Sequence, residues 1–92
     1  MEFEWNTKKA ILNIQKHGVS FEEATTVFDD ILSLTYDDDL HSRTERRYAT
    51  LGMSTKGRVL VIAHTMRGDR VRIISARNAT PRERRWYEKA NR

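Results

Sequence analysis

The stretch Arg70-Val71-Arg72-Ile73-Ile74-Ser75-Ala76-Arg77-Asn78-Ala79-Thr80-Pro81-Arg82-Glu83-Arg84-Arg85-Trp86-Tyr87 joins an alternating strand to a capped helix and loads both with guanidinium groups. Val71, Ile73 and Ser75 alternate with Arg70, Arg72 and Ile74, the period of a strand over 70–77. Thr80 as cap, Pro81 at the first helical position and Glu83 closing a capping box then start a helix. Working backwards, Val59 to Ala63 is apolar on both faces, which places a strand at 58–66 in the middle of a sheet. A further strand falls at 46–53, with turns at Ser54-Thr55-Lys56-Gly57 and Arg67-Gly68-Asp69. Such short connections make antiparallel neighbours.

Towards the N-terminus, Leu32, Leu34 and Tyr36 alternate with Ser33, Thr35 and Asp37, giving another strand, followed by a polar loop from Asp37 to Thr44. Two helices precede it. Asn6 caps one that runs to about His17 with Ala10, Ile11 and Ile14 on its apolar face, and Gly18 ends it. Ser20-Phe21-Glu22-Glu23 reads as a capping box opening the second, in which Phe21, Ala24, Val27, Phe28 and Ile31 recur at helical spacing. Residues 2–5 can add a short strand. The expected architecture is one α+β domain over residues 1–92: two N-terminal helices, an antiparallel sheet of about four strands and a C-terminal helix.

Charge divides the chain in two. Residues 67–92 hold nine Arg and Lys against three acids, whereas residues 20–45 hold eight acids and only Arg43. A net charge of +4 and a sequence pI of about 9.8 favour nucleic acid or an acidic protein as partner. The preference for arginine within the basic end favours phosphate, because a guanidinium is a planar fork and an ammonium a point charge. Without cysteine there is no disulfide framework, thiol nucleophile or thiolate metal site, and a reducing cytoplasm is the expected location. No apolar run approaches the ~20 residues of a membrane helix. With no Gly-rich phosphate loop, no cofactor is expected.

The pattern Phe3-Glu4-Trp5, Lys16-His17-Gly18-Val19-Ser20-Phe21-Glu22-Glu23-Ala24, Phe28-Asp29-Asp30, Ile73-Ile74-Ser75-Ala76-Arg77, Arg82-Glu83-Arg84 and Tyr87-Glu88 resembles the BrnT family of bacterial toxins across nearly the entire chain. Asn6-Thr7 departs from the Asp-Pro of many relatives, a difference that touches helix capping and not chemistry. The resemblance implies a RelE-like, metal-independent endoribonuclease that halts translation. It also implies a BrnA-like ribbon-helix-helix antitoxin that binds and blocks the toxin, expected as a 2:2 heterotetramer, and that carries it to operator DNA.

Metal-free RNA cleavage needs a 2′-hydroxyl aligned with the scissile phosphate, a group to take its proton, and cations for the charge that develops. Arg77 ends the last strand beside the start of the last helix, where its guanidinium and the free N–H groups near Thr80 can converge on one phosphate. The competing role is a bridge to an acid of the second helix or of Asp37–Asp39. Arg82, Arg84 and Arg85 are either RNA contacts or a solvated helix face with an Arg84–Glu88 pair. Glu83 reads as a cap. Among the histidines, His17 reads as structural at a helix end and His64 as a core residue beside Leu60 and Ile62. His41, among Ser42, Glu45, Arg46 and Arg47, is the candidate acid or base, with Glu45 and Tyr87 as further candidates.

Tyr48 and Thr50 share a face with Arg46, polar enough to line a groove, while Arg47 points opposite; Arg46, Arg47 and Tyr48 are the candidate RNA contacts of this strand. Trp86 with Ala90 is the expected core pair of the last helix. That leaves Tyr87 for base stacking or proton donation, or simply to cover the sheet edge. No His-Glu-x-x-His motif occurs, and Asp37-Asp38-Asp39 would alternate faces if extended, so no metal site is expected. Two rival readings fit the same charges: a non-catalytic nucleic-acid module or co-repressor, and a structural partner that only docks another protein.

Overall fold

Asn6 and Gly18 bound the first helix as their chemistry requires. In the computed structural model, which describes residues 1–91, helix α1 runs Thr7–His17; the Asn6 side chain accepts from the Lys9 N–H at 3.0 Å, and Gly18 takes the left-handed conformation at φ 68°. Arg92, counted above in the basic end, lies outside the described residues. Of the face expected to turn inward on α1, Ala10 packs against the core but the two isoleucines do not. Asn13 is buried, while Ile11 and Ile14 stay about half exposed.

The reason lies in the sheet. Strand β1 (Glu2–Glu4) pairs in parallel with β5 (Arg70–Asn78) only as far as Arg72, leaving the upper edge of β5 without a strand. Asn13 replaces one there: its Nδ2 donates to the Ala76 carbonyl at 2.8 Å and its Oδ1 accepts the Ala76 N–H at 3.1 Å. A buried backbone amide left unpaired would cost about 1–3 kcal/mol, which Asn13 avoids.

Helix α2 covers Phe21–Val27, shorter than the apolar spacing suggested. Ser20 caps it at the Glu23 N–H, but the Glu23 carboxylate does not return the cap; it bonds the Ser54 hydroxyl at 2.7 Å and the Arg58 guanidinium. Asp30 ends the helix region by accepting from the Leu32 and Met53 backbone N–H groups at 3.0 and 2.9 Å. Ile31, expected on the helix face, is therefore 96% exposed. The chain after α2 presses so close to the sheet that a Cβ on Gly52 would meet both Val27 and Ser33 at 2.9 Å.

Strands β2 (Leu34–Asp37), β3 (Arg47–Met53) and β4 (Val59–Arg67) complete a five-stranded sheet of order β1-β5-β4-β3-β2. The four expected strands are antiparallel. The sheet is mixed, not wholly antiparallel, because β1 adds a parallel edge, where Glu4 bonds Arg72 at 2.6 Å and Glu2 lies 3.6 Å from Arg70. Arg72 is thus committed to an ion pair at the sheet edge, whereas Arg70 stays exposed and only loosely paired.

One face of the sheet packs on α1 and α2 through Phe21, Val27, Leu60, Ile62 and Ile73. The other packs on α3 (Pro81–Ala90) through Ala49, Leu51, Val61 and Tyr87. The expected Trp86–Ala90 core pair is reversed: Tyr87 is buried and its hydroxyl donates to Asp30 at 2.5 Å, while Trp86 is 46% exposed. The burial stripe of α3 follows the capping geometry at Glu83, which faces the sheet, and Tyr87 lies one turn further on the same side.

His64 is a core residue, held by Thr50 at 2.8 Å on Nε2, with Phe28 against its ring edge and its buried Nδ1 unpartnered. Burial pushes its pKa down to about 4. The unfolded chain therefore binds a proton near 6.5 that the folded chain refuses until about 4, and stability is lost as pH falls through that window. At 1.36 kcal/mol per unit, roughly 2 kcal/mol should go between pH 6.5 and pH 5. The carboxylates with lowered pKa (Glu23, Asp30, Glu83) give up stability only at lower pH. Urea unfolding at pH 7 and pH 5 should show the drop, and His64→Gln should flatten it; an unchanged slope in the variant would assign the acid sensitivity elsewhere.

Candidate active site

Helix α3 covers only one end of its face of the sheet, and the uncovered remainder forms a cleft of about 370 Å³. Its floor is Ala49, Val61 and Ala63 from the central strands; its rim is Tyr36, Asp38, His41, Arg47, Ser75 and Arg77. Strand alternation explains the rim. Arg47 and Ala49 share a face of β3, and Arg77 pairs in register with Val61 of β4.

Arg77 is fixed by Glu83. Its two terminal nitrogens donate to the two carboxylate oxygens at 2.7 and 2.9 Å, a two-pronged pairing that holds the guanidinium plane. The same Glu83 accepts the Thr80 N–H at 2.9 Å and donates its own N–H to the Thr80 hydroxyl at 3.2 Å, completing the capping box. Arg77 draws the Glu83 pKa down to about 2, and Glu83 in turn raises that of Arg77. The bridge foreseen for Arg77 thus exists, with Glu83 as its acid and not α2 or Asp37–Asp39. The Thr80 amide, expected to be free for a phosphate, is occupied. The Arg77 side chain remains 41% exposed.

A 3₁₀ turn at Asp39–His41 brings the imidazole to the cleft. Ser42 pins this turn to β3, donating to the Asp38 carbonyl at 2.7 Å and accepting the Arg47 N–H at 2.9 Å. The Asp38 carboxylate meets His41 Nδ1 at 2.9 and 3.0 Å, leaving Nε2 as the nitrogen available to another group. Tyr36 forms the side wall; burial first, and then the charge of Glu83, raise its pKa.

The structure therefore brings Arg77, His41 and Arg47 to one cleft. Glu45 stands in an adjoining hollow with His41, Arg43 and Arg47, and its carboxylate lies 3.4 Å from Arg67. The other candidates lie elsewhere. Arg46 pairs with Asp37 and Asp39 at 3.7 and 3.3 Å. Tyr48 is on the opposite face, stacked on His64 with ring centroids 5.8 Å apart. Tyr87 is in the α3 core. Arg82, Arg84 and Arg85 are exposed on α3, and the expected Arg84–Glu88 pair does not form within 4.0 Å. Asp38, Tyr36 and Ser75 were missed. An Asp three residues before a His in a polar turn was the available signal for the first. Among the described residues no group of three His, Cys, Asp or Glu side chains is placed to hold a metal ion, and no helix is long and apolar enough to cross a membrane.

Two guanidinium groups and a carboxylate-held imidazole thus share one open side of the sheet in a small α+β domain. The chain belongs to the BrnT family: residues 5–83 match the family described as the ribonuclease toxin, BrnT, of type II toxin-antitoxin systems. Such a system pairs its toxin with an antitoxin. Among solved structures, the ribonuclease toxin BrnT of Brucella abortus shares the fold, with a TM-score of 0.68 and 23% identity over 87% of this chain and 97% of that one. A search of the curated proteins gives no significant match.

Proposed function

We propose that this toxin is a RelE-like, metal-independent endoribonuclease whose chemistry takes place in the cleft between Arg77, Arg47 and His41, and that it stops translation by cutting RNA. The observation that carries this reading is the pair of locks, Glu83 on Arg77 and Asp38 on His41, which fix a cation and an imidazole on one rim. In the reaction, His41 Nε2 takes the proton of a ribose 2′-hydroxyl as the 2′-oxygen bonds to phosphorus. Arg77 and Arg47 stabilise the phosphorane-like charge. The bond from phosphorus to the 5′-oxygen breaks, and that oxygen is protonated from solvent. The antitoxin is proposed as a BrnA-like ribbon-helix-helix protein in a 2:2 complex that also binds operator DNA.

Cleavage of RNA by the purified protein should leave a 2′,3′-cyclic phosphate and a 5′-hydroxyl and should proceed in EDTA. Loss of activity in chelator that returns with Mg²⁺ would overturn the scheme. His41→Gln should lower the cleavage rate by about 10²-fold, the usual contribution of a positioned proton-transfer group. Asp38→Asn should lower it less, because the imidazole remains but loses its orienting charge. An unaffected His41→Gln enzyme would move the base to Glu45, in the adjoining hollow.

A further inference from the structure

From the Tyr36–Trp86 pair we infer a stacking site for an unpaired nucleobase beside the phosphate position at Arg77. The inference rests on the RNA-binding part of the reading above and deepens it. Tyr36 stands in the cleft wall, and its ring packs on that of Trp86 with centroids 5.3 Å apart and planes inclined at 59°. Trp86 thus continues the wall outward, and at 46% exposure it presents far more aromatic surface than the core role expected of it. Solvation of an indole face is a cost that a stacked base removes.

The cations around it follow from helical spacing. Positions three and four apart share a side of a helix, so Arg82 and Lys89 lie one turn before and one turn after Trp86 on the same flank of α3. Arg84 and Glu88 fall on the other flank, where Glu88 borders the hollow of Asp29 and Asp30. The basic residues of α3 therefore do not form a uniform coat. One flank interleaves an exposed aromatic with cations and leads to Glu83 and Arg77, the arrangement that single-stranded nucleic acid requires: π-faces for bases and charge for the backbone. A duplex would hide its base faces, so the probe for this flank is an unpaired strand.

The test compares binding of two probes, a 2′-O-methyl octa-adenylate and the same backbone carrying abasic sites. Wild-type protein should prefer the base-bearing probe by about tenfold or more. Trp86→Ala should erase that preference by weakening only the base-bearing probe, Trp86→Phe should keep most of it, and Trp86→Leu should not. On a cleavable RNA, Trp86→Ala should raise KM with little change in kcat. Equal weakening of both probes, or a leucine variant as good as phenylalanine, would overturn the stacking site. Failure of the ribonuclease reading looks different: a wild-type protein that discriminates between the probes but never cuts RNA keeps the site and loses the reaction.

Discussion

Arg77→Ala is expected to reduce RNA cleavage by roughly 10²–10³-fold, the usual cost of removing one preorganised donor to a developing oxyanion, and to abolish growth arrest. The fold should survive. With its side chain 41% exposed, Arg77 gains little from its ion pair in water, and Glu83 keeps its capping bonds to Thr80 in the variant. Arg77→Lys should be nearly as inactive, since an ammonium cannot make the two-pronged contact that sets the orientation. Glu83→Gln separates position from charge: it retains an acceptor for Thr80 but weakens the hold on Arg77, and should give an intermediate rate. Because the Glu83 pKa is about 2, the stability the pair contributes is lost only as pH falls below the ordinary carboxylate range towards that value. The rate should therefore show no titration of this pair near neutrality. Circular dichroism and a cleavage assay together decide the matter: a folded, fully active Arg77→Ala protein removes Arg77 from the phosphate, and an unfolded one makes it structural.

The caps at Asn6, Ser20 and Thr80 and the left-handed Gly18 were legible because each is a local bargain between a side chain and two or three backbone groups. The antiparallel strands were legible for the same reason, through alternation and short turns. What escaped depended on partners distant in sequence. The role of Asn13 is set by Ala76, and the end of α2 by Asp30 meeting Met53. The parallel pairing of β1 had a signal in the alternation Glu2, Glu4 against Arg70, Arg72, but charge complementarity between two short segments does not by itself choose direction. Of the residues that line the cleft, Arg77, His41 and Arg47 could be named from residue type and position. Tyr48 and Tyr87 were misplaced by the other limit of sequence reading: which of two adjacent residues faces the core turns on a rotation of the element that only its packing fixes. The same ambiguity hid Trp86 as the exposed aromatic.

The second large effect concerns the antitoxin, and it follows from the overlap of two surfaces. A cationic face that binds RNA phosphates is equally a target for acidic side chains, so an inhibitor that covers the cleft and wraps both exposed flanks of α3 meets Arg77, Arg82, Arg84 and Arg85. Apolar contact should supply most of the affinity, and the rim offers it: Trp86 is 46% exposed and Leu40, beside His41, is 87% exposed. Inhibition is then competitive with RNA. Reversing all four arginines to glutamate places like charges across the interface, which costs several kcal/mol, and should weaken both RNA and antitoxin binding by at least about a hundredfold. The Trp86→Ala change should weaken both as well, whereas Lys8→Glu on the far helix α1 should affect neither. Titrating antitoxin into a complex of labelled RNA with the Arg77→Ala protein reads the competition directly. Displacement of RNA at one antitoxin chain per toxin is the expected result; a stable ternary complex would show that the antitoxin holds a separate surface and silences the cleft from a distance.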